Sequence, residues 1–325
     1  MVNVQTLKGF RDFLPQEVRK REYVLNTLKK VFESYGFEPL ETPSLEYEEL
    51  LTGKYGDEGD KLMYKFKDNG DRNVALRYDQ TVPLARVVAQ YQNELPMPFM
   101  RYQIQNVWRA ENTQKGRYRE FLQIDADIVG TNSSRADVQV ITTAVSGLYT
   151  LGIKNLKVIL NDREIFSETG KMVRQKFPNL IKKQIDLFLS ITGSVDKIKK
   201  IGEEKVVEEL ISKGFSRDEA KYCLNIVTRQ KPTEKLLEIL NTLNFIRFPE
   251  GIEFEFSPTL ARGLNYYTST IFEIEINGYS SGSVAGGGRY DNLIGTFTKY
   301  NEQISAVGFS YGFDRLMEAI EELGI

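Results

Sequence analysis

The sequence predicts an α+β domain with an antiparallel-leaning sheet, interrupted by a helical insertion. Three observations point there. Two strand-like runs, 100–108 and 121–129, are joined through a short arginine-rich turn. Strand texture returns only late, at 252–256, 270–276 and 305–310. Between them, from near Phe166 to about Phe245, the chain is lysine-rich, poor in glycine and helical in period.

Taken in order, Val18, Tyr23, Leu25, Leu28, Val31 and Phe32 are spaced as in a helix over 16–35, stopped by Gly36. The segment 37–43 contains Pro39 and Pro43 and reads as extended, because a residue before proline avoids the helical region. A strand at 74–77 precedes a helix at 81–91, marked by Val82, Leu84, Ala85, Val87 and Val88. After the two long strands, Ser134 and Asp137 stand at capping-box spacing and predict a helix start. In the lysine-rich stretch the apolar positions are Ile185, Leu187, Phe188 and Leu189, then Val206, Val207, Leu210 and Ile211, then Leu236, Leu237, Ile239 and Leu240. Residues 171–231 carry fourteen Lys/Arg against eight Asp/Glu, a local positive excess in a chain of net charge -2. A terminal helix at 311–323 closes the sequence. The expected division is 1–165, then 166–246 as a helical insertion, then 247–325.

Composition narrows the chemistry. With 325 residues, 41% hydrophobic and 11% aromatic, the chain is of ordinary globular type. It shows no bilayer-length apolar run and no signal-peptide pattern at its start. The single cysteine, Cys223, excludes an internal disulfide framework and a multi-cysteine zinc site, and reads as a small buried apolar residue. A cytoplasmic address without membrane contact is the expectation. Histidine is absent altogether. That removes histidine-based nucleophile pairs and histidine metal sites, and leaves carboxylates, guanidinium groups, tyrosines, backbone and bound ions. Reactions driven by positioning and electrostatic stabilisation, such as phosphoryl or nucleotidyl transfer, suit that inventory.

Five clusters carry the chemistry. Arg109, Arg117 and Arg119 flank the polar turn between the long strands, with Glu111 inside it and Gln123 and Asp127 on the return strand. Guanidinium forks match phosphate and carboxylate oxygens, so the stretch suits a polyanion beside a smaller polar ligand, although a hairpin with solvated charges has the same composition. Leu76-Arg-Tyr-Asp-Gln-Thr81 places Asp79 and Thr81 at a strand-to-helix junction, where Asp79 fits either a cationic amine or an N-cap. Arg262-Gly-Leu-Asn-Tyr-Tyr267 gathers one arginine and two tyrosines. Gly286-Gly-Gly-Arg-Tyr-Asp291 admits close backbone approach to a ligand, or simply a turn. Val307 to Arg315 puts Arg315 one turn into a helix, where an interior salt bridge is the ordinary explanation.

In this order and spacing, the clusters resemble the histidyl-tRNA synthetases, members of the class II aminoacyl-tRNA synthetases, over essentially the whole chain. The first helix with 36–43 is similar to motif 1, the arginine-rich turn to motif 2, and 308–315 to motif 3. Arg262-Gly-Leu-Asn-Tyr-Tyr267 and the Gly-Gly-Gly-Arg-Tyr-Asp run are similar to the two motifs peculiar to the histidine enzymes. The resemblance implies a class II fold that activates L-histidine with ATP and Mg2+ as histidyl-adenylate and transfers it to the 3′ end of histidine tRNA, in a homodimer formed through motif 1. It implies a histidine site of Asp79, Gln80, Thr81, Arg109, Gln123, Asp127, Arg262, Tyr266, Tyr267 and Tyr290. Within it Asp79, Thr81 and Gln123 surround the α-amino group, and Asp127 and Tyr267, helped by Tyr266 and Tyr290, the imidazole. ATP falls to Arg109, Glu111, Arg117 and Arg315, with Arg109 and Arg262 catalytic and no metal held by the protein. Members of the family continue past motif 3 into an anticodon-binding domain of about a hundred residues, a typical domain size, so a catalytic core without that domain is expected here. Two rivals share the fold: the synthetase-like regulatory subunit of ATP phosphoribosyltransferase, which binds histidine, and a synthetase-like module that senses uncharged tRNA. Both tend to lose the arginines that this chain retains.

Overall fold

The computed structural model describes residues 4–325 apart from 114–115, 184–185, 263–265 and 300–301, and of 57–58 and 181–183 the backbone alone. Ile185, the middle of the Arg262–Tyr267 cluster and two residues of the arginine-rich turn therefore lie outside the described residues.

Helix α1 (Pro15–Ser34) opens with proline in its first turn, where the missing N–H has no intrahelical partner to lose. Its buried stripe is Val24, Leu28, Val31 and Phe32; Tyr23 lies about 140° around the helix from Leu28 and is exposed. Next come β1 (Glu38–Pro39), β2 (Leu45–Tyr47), α2 (Glu48–Leu51), α3 (Gly56–Leu62), β3 (Lys65–Lys67), β4 (Asn73–Leu76) and α4 (Thr81–Gln90). The long strands are β5 (Phe99–Trp108) and β6 (Glu120–Val129), followed by α5 (Ser134–Thr150) and β7 (Leu156–Asp162). Among the described residues six α-helices come next, α6 (Glu164–Lys176), α7 (Leu187–Val195), α8 (Ile198–Ile201), α9 (Glu203–Ser212), α10 (Arg217–Thr228) and α11 (Glu234–Phe245). The chain then returns through β8 (Ile252–Phe256), β9 (Thr270–Ile276), β10 (Ala285–Arg289), β11 (Ala306–Gly312) and α12 (Phe313–Leu323).

The main sheet has the order β1-β5-β6-β11-β10-β9-β7-β8, antiparallel except for its two outer pairs, β1 with β5 and β7 with β8. A small antiparallel sheet, β2-β4-β3, lies beside it. Two features depart from the reading of the sequence. The glycine triplet is not a turn but the middle of β10, paired on both sides. The capping box at Ser134 and Asp137 does not form: α5 starts one residue earlier, with the Ser133 hydroxyl accepting from the Arg135 amide. Asp137 is consequently one place too deep for a capping box. It turns inward to Arg289, whose Nη2 lies 2.5 Å from its carboxylate in a pair with no solvent exposure.

Strand alternation gives the sheet two unlike faces. On one, Tyr102, Ala126, Phe309, Gly287 and Phe272 form a cross-strand row whose side chains cluster with Leu28 and Phe32 of α1 and Ile141 and Val145 of α5. Each Phe, Leu, Ile or Val among them contributes roughly 1.5–3 kcal/mol when fully buried. The other face carries the polar residues described below. Between β7 and α11, Phe166, Val173, Ile191, Leu210, Cys223 and Val227 pack with Ala261 in a second core, so the cysteine is buried and its thiol pushed up to about 12. Helix α11 differs: Leu236, Ile239 and Leu243 join the sheet-side core. Among the described residues no helix is long and apolar enough to cross a membrane.

Removing Asp137 would leave Arg289 buried without its main partner, although Asp291 and the Thr131 and Ser133 carbonyls remain near it. Asp137→Ala is therefore expected to cost about 3 kcal/mol, the low end for breaking a buried pair, measured by urea unfolding.

Candidate active site

The polar face of β6 carries Gln123, Asp125 and Asp127, two residues apart and so on one side. Opposite them across β11 stand Gly312, Ser310 and Gly308, and beyond Ser310 stands Gly286 of β10. Those glycines leave the floor without side chains. A Cβ at Gly308 would overlap the Asp127 carboxylate, and one at Gly286 would overlap the Arg262 guanidinium. These two groups fill the space that Gly308 and Gly286 vacate, and all three glycines line a cavity of about 690 Å³. Every residue expected at the site from the sequence lines it except Gln80. That amide points into the sheet, donating to the carbonyls of Gln105 and Gln123 at 2.8 and 3.0 Å. It braces the strands under the cavity instead of facing it.

One end is lined by acceptors and tyrosines. Asp79 is buried at the β4–α4 junction, one residue before the cap position of α4, Gln80. Its Oδ1 accepts from the Val82 amide at 3.1 Å, as a capping side chain does, and also from the Tyr55 hydroxyl at 2.8 Å. Its Oδ2 accepts from Tyr266 at 3.2 Å, and the same hydroxyl lies 3.4 Å from Thr81 Oγ1. Gln123 donates to both oxygens of Asp125, at 2.9 and 3.0 Å. This fixes its amide so that its oxygen meets Arg109 Nη2 at 3.4 Å. Tyr290 donates to Asp127 Oδ1 at 2.5 Å. Tyr266 packs against Tyr267 and Tyr290 with centroids 5.0 and 5.9 Å away.

The other end is cationic. Arg109 lies over the rings of Tyr78 and Phe121, 4.5 and 5.2 Å from their centroids, and donates to the Tyr78 carbonyl. Stacked between aromatics, its fork is aimed before any ligand arrives. Arg262 reaches the Phe272 carbonyl and Glu273, while its buried Nε has no acceptor among the described residues. Arg315 donates to the Ser283 carbonyl; an interior salt bridge is not what holds it among the described residues. Arg117 is half-exposed and 3.5 Å from Glu111. The N-terminal segment straps this end. The Gly9 carbonyl accepts from the Arg119 amide, and Arg11 stacks on Tyr118 while pairing with Asp314 at 2.9 Å. Arg109, Arg262 and Arg315 thus converge on one cavity from three separate stretches of chain.

Burial shapes the titration of the floor. It raises the carboxyls of Asp79 and Asp127, and pushes Asp125 up to about 7, against the opposing pull of Arg101. Burial also raises the Tyr55, Tyr266 and Tyr290 hydroxyls well above the ordinary range, so they stay protonated donors. Arg315 is lowered by burial and by the neighbouring charge of Arg117, a pair of cations suited to an anion between them. Asp125, Arg101 and Tyr55 were not singled out in the sequence. Asp125 had a signal, its alternation with Asp127; Arg101 becomes visible only once β5 is set in register against β6.

The chain has no histidine, so buried carboxyls govern its proton uptake near neutrality. Between the unfolded value near 4 and about 7, folded Asp125 holds a proton that the unfolded chain releases, so its contribution makes stability fall as pH rises. Asp125→Asn is expected to flatten that slope, measured by urea unfolding at intervals across this range.

The comparisons agree with this geometry. The family model for histidyl-tRNA synthetase matches residues 9–316. A histidine–tRNA ligase of Wolinella succinogenes is 40% identical over 353 residues, covering 100% of this chain and 76% of its own length. That of Christiangramia forsetii is 38% identical over 363 residues, covering 98% and 77%. Among solved structures, histidyl-tRNA synthetase from Nostoc sp. PCC 7120 superposes with a TM-score of 0.81 at 29% identity, covering 100% of this chain and 77% of its own. An ATP phosphoribosyltransferase regulatory subunit/histidyl-tRNA synthetase from Bacillus halodurans has a TM-score of 0.77 at 22% identity, covering 98% and 84%, a likeness of fold alone. From a glycine-floored cavity with guanidinium groups at one end and buried acceptors at the other, and from relatives matched along the whole chain, it follows that this protein belongs to the histidyl-tRNA synthetase family.

Proposed function

We propose that this cavity joins L-histidine to the α-phosphate of ATP, forming histidyl-adenylate and pyrophosphate, and that the histidyl group then passes to the 3′ end of histidine tRNA. The observation that carries this reading is the convergence of Arg109, Arg262 and Arg315 on one cavity whose far end is lined by Asp79, Thr81, Gln123 and Asp127. A carboxylate with hydroxyl and amide oxygens beside it suits an ammonium, and the fixed oxygen of Gln123 completes a set with Asp79 and Thr81. Asp127 with Tyr266, Tyr267 and Tyr290 would enclose the imidazole. A pocket that pairs both ring nitrogens rejects analogues strongly, because its polar groups would otherwise stay buried and unpaired.

At the cationic end, Arg109 would bridge the histidine carboxylate and the α-phosphate, with Glu111 near the adenine and Arg117 and Arg315 on the outer phosphates. A carboxylate oxygen attacks the α-phosphorus in line, the bond to the bridging oxygen breaks, and pyrophosphate leaves with the electron pair. Arg262, with an unpaired buried Nε, would take up the charge that grows on the α-phosphate. Glu111 and Glu273 are each ion-paired to an arginine, a donor set that does not make a metal site of the protein's own. Mg2+ enters with ATP, as part of the substrate. The regulatory reading has no need of three arginines at a nucleotide site, which is why the enzyme is favoured.

On the same reading, 166–246 is a helical insertion between two parts of one catalytic unit, 1–165 and 247–325. A second copy would pair through α1 and the segment after it, and the protein would work in the cytoplasm. Pyrophosphate exchange into ATP is expected with histidine and with none of the other amino acids tested in turn. Arg262→Ala is expected to lower the exchange rate by about 10²–10³, the usual loss for a donor to developing charge. A protein that binds histidine yet supports no exchange would be the regulator instead.

A further inference from the structure

The floor contains one cation to which the reading above gives no task. Arg101 of β5 is 0% exposed. Its Nη2 lies 2.8 Å from Asp127 Oδ2 and 3.9 Å from Asp125 Oδ2. Nη1 donates to Gln103 Oε1 at 3.2 Å and Nη2 to the Gln80 carbonyl at 3.4 Å. Gln103 is itself tied to Thr42 Oγ1 at 2.8 Å, so the guanidinium has a fixed mount. The strand register sets Arg101 directly opposite Asp127.

We propose that Arg101 is a positioning residue for the choice of amino acid: from beneath the cavity it keeps Asp127 ionised and fixed, so that this carboxylate receives an imidazole N–H. The inference rests on the function proposed above. Two carboxylates two residues apart in a buried floor do not both stay charged without a cation. Arg101 stands closer to Asp127, and Tyr290 holds the other oxygen of that carboxylate. Asp127 Oδ2 accepts no hydrogen bond among the described residues besides its ion pair with Arg101, and the Asp127 side chain lines the cavity. The remaining groups around the two carboxylates are Asp79 at the β4–α4 junction, Tyr267 before β9, Gln123 on β6 and Ser310 on β11, with Arg77, just past β4, acting on Asp125. Arg101 is the cation paired directly with Asp127. The charge of Arg101 lowers both carboxyls while burial raises them.

The test is histidine-dependent pyrophosphate exchange by Arg101→Met and Arg101→Lys, from about pH 7 to about pH 8.5. Without the cation, Asp127 holds a proton to higher pH and loses acceptor strength. For Arg101→Met the KM for histidine should rise about tenfold or more near neutrality while the KM for ATP changes little. The rise should shrink as pH increases and Asp127 ionises unaided, and Arg101→Lys should recover part of the loss. Should Arg101→Met fail to fold, Arg101→Met/Asp125→Asn removes the surplus carboxylate, and the same readings are expected of it. An unchanged KM for histidine would overturn the proposal. So would parallel rises in both KM values, or pH profiles parallel to the wild type. Failure of the wild type to exchange with histidine would instead remove the function itself, and this inference with it.

Discussion

Side chains on neighbouring antiparallel strands alternate between two faces, and the site depends on that alternation being kept in register across β5, β6, β11 and β10. Tyr102, Ala126 and Phe309 fill one face and weld the sheet to α1 and α5. One residue along each strand, Arg101, Asp127 and Gly308 form the row on the other face. A slip of one position in any of these strands would bury charges among aliphatic side chains and put aromatic rings into the cavity. The apolar core is therefore also what fixes the chemistry: the hydrophobic energy that holds the rows in place holds the carboxylates and arginines opposite each other.

The two ends of the cavity solve one electrostatic problem in different ways. At the floor, buried acids are balanced by a buried arginine and by tyrosine hydroxyls that burial keeps protonated, so they remain ordered acceptors. At the mouth, arginines are held by carbonyls, aromatic faces and partial pairing, which leaves their charge available to an anion. Arg315 and Arg117 repel each other in the free protein, a tension that an anion would relieve. With no histidine in the chain, rate enhancement by positioning and fixed charge is the route that these residues leave open.

Legibility in the sequence followed the distance over which each feature is determined. The hairpin of β5 and β6 was readable because its strands and turn are contiguous, and α4 and α12 because their apolar periods are clear. The cavity-lining arginines and tyrosines were readable as motifs. The glycines of β10 resembled a turn because glycine has little strand preference; what crowds them lies elsewhere in the chain, Arg262 at Gly286, the backbone of β11 at Gly287, and the Thr270 carbonyl and Tyr267 at Gly288. Asp137 looked like a local cap, but its partner is Arg289. Gln80 sits between two true cavity residues, and only the register of β5 with β6 turns it toward their carbonyls. Arg101 carried no local signal, since its meaning lies entirely in what stands opposite it.

The placement of α11 has a bearing on how much the sheet relies on the helices inserted into it. Strands β7 and β8 are parallel neighbours, so the chain must cross over from the end of one to the start of the other. Helix α11 accomplishes that crossing on its own, packed against α5 and anchored where Thr233 donates to Asp162 at the end of β7. The helices between β7 and α11 pack around a core of their own, but that core reaches the cavity: Ala261, beside Arg262, sits in it and its amide donates to Asp196 just past α7. A change in those helices would therefore be felt at Arg262 before it disturbed the alignment of the strands.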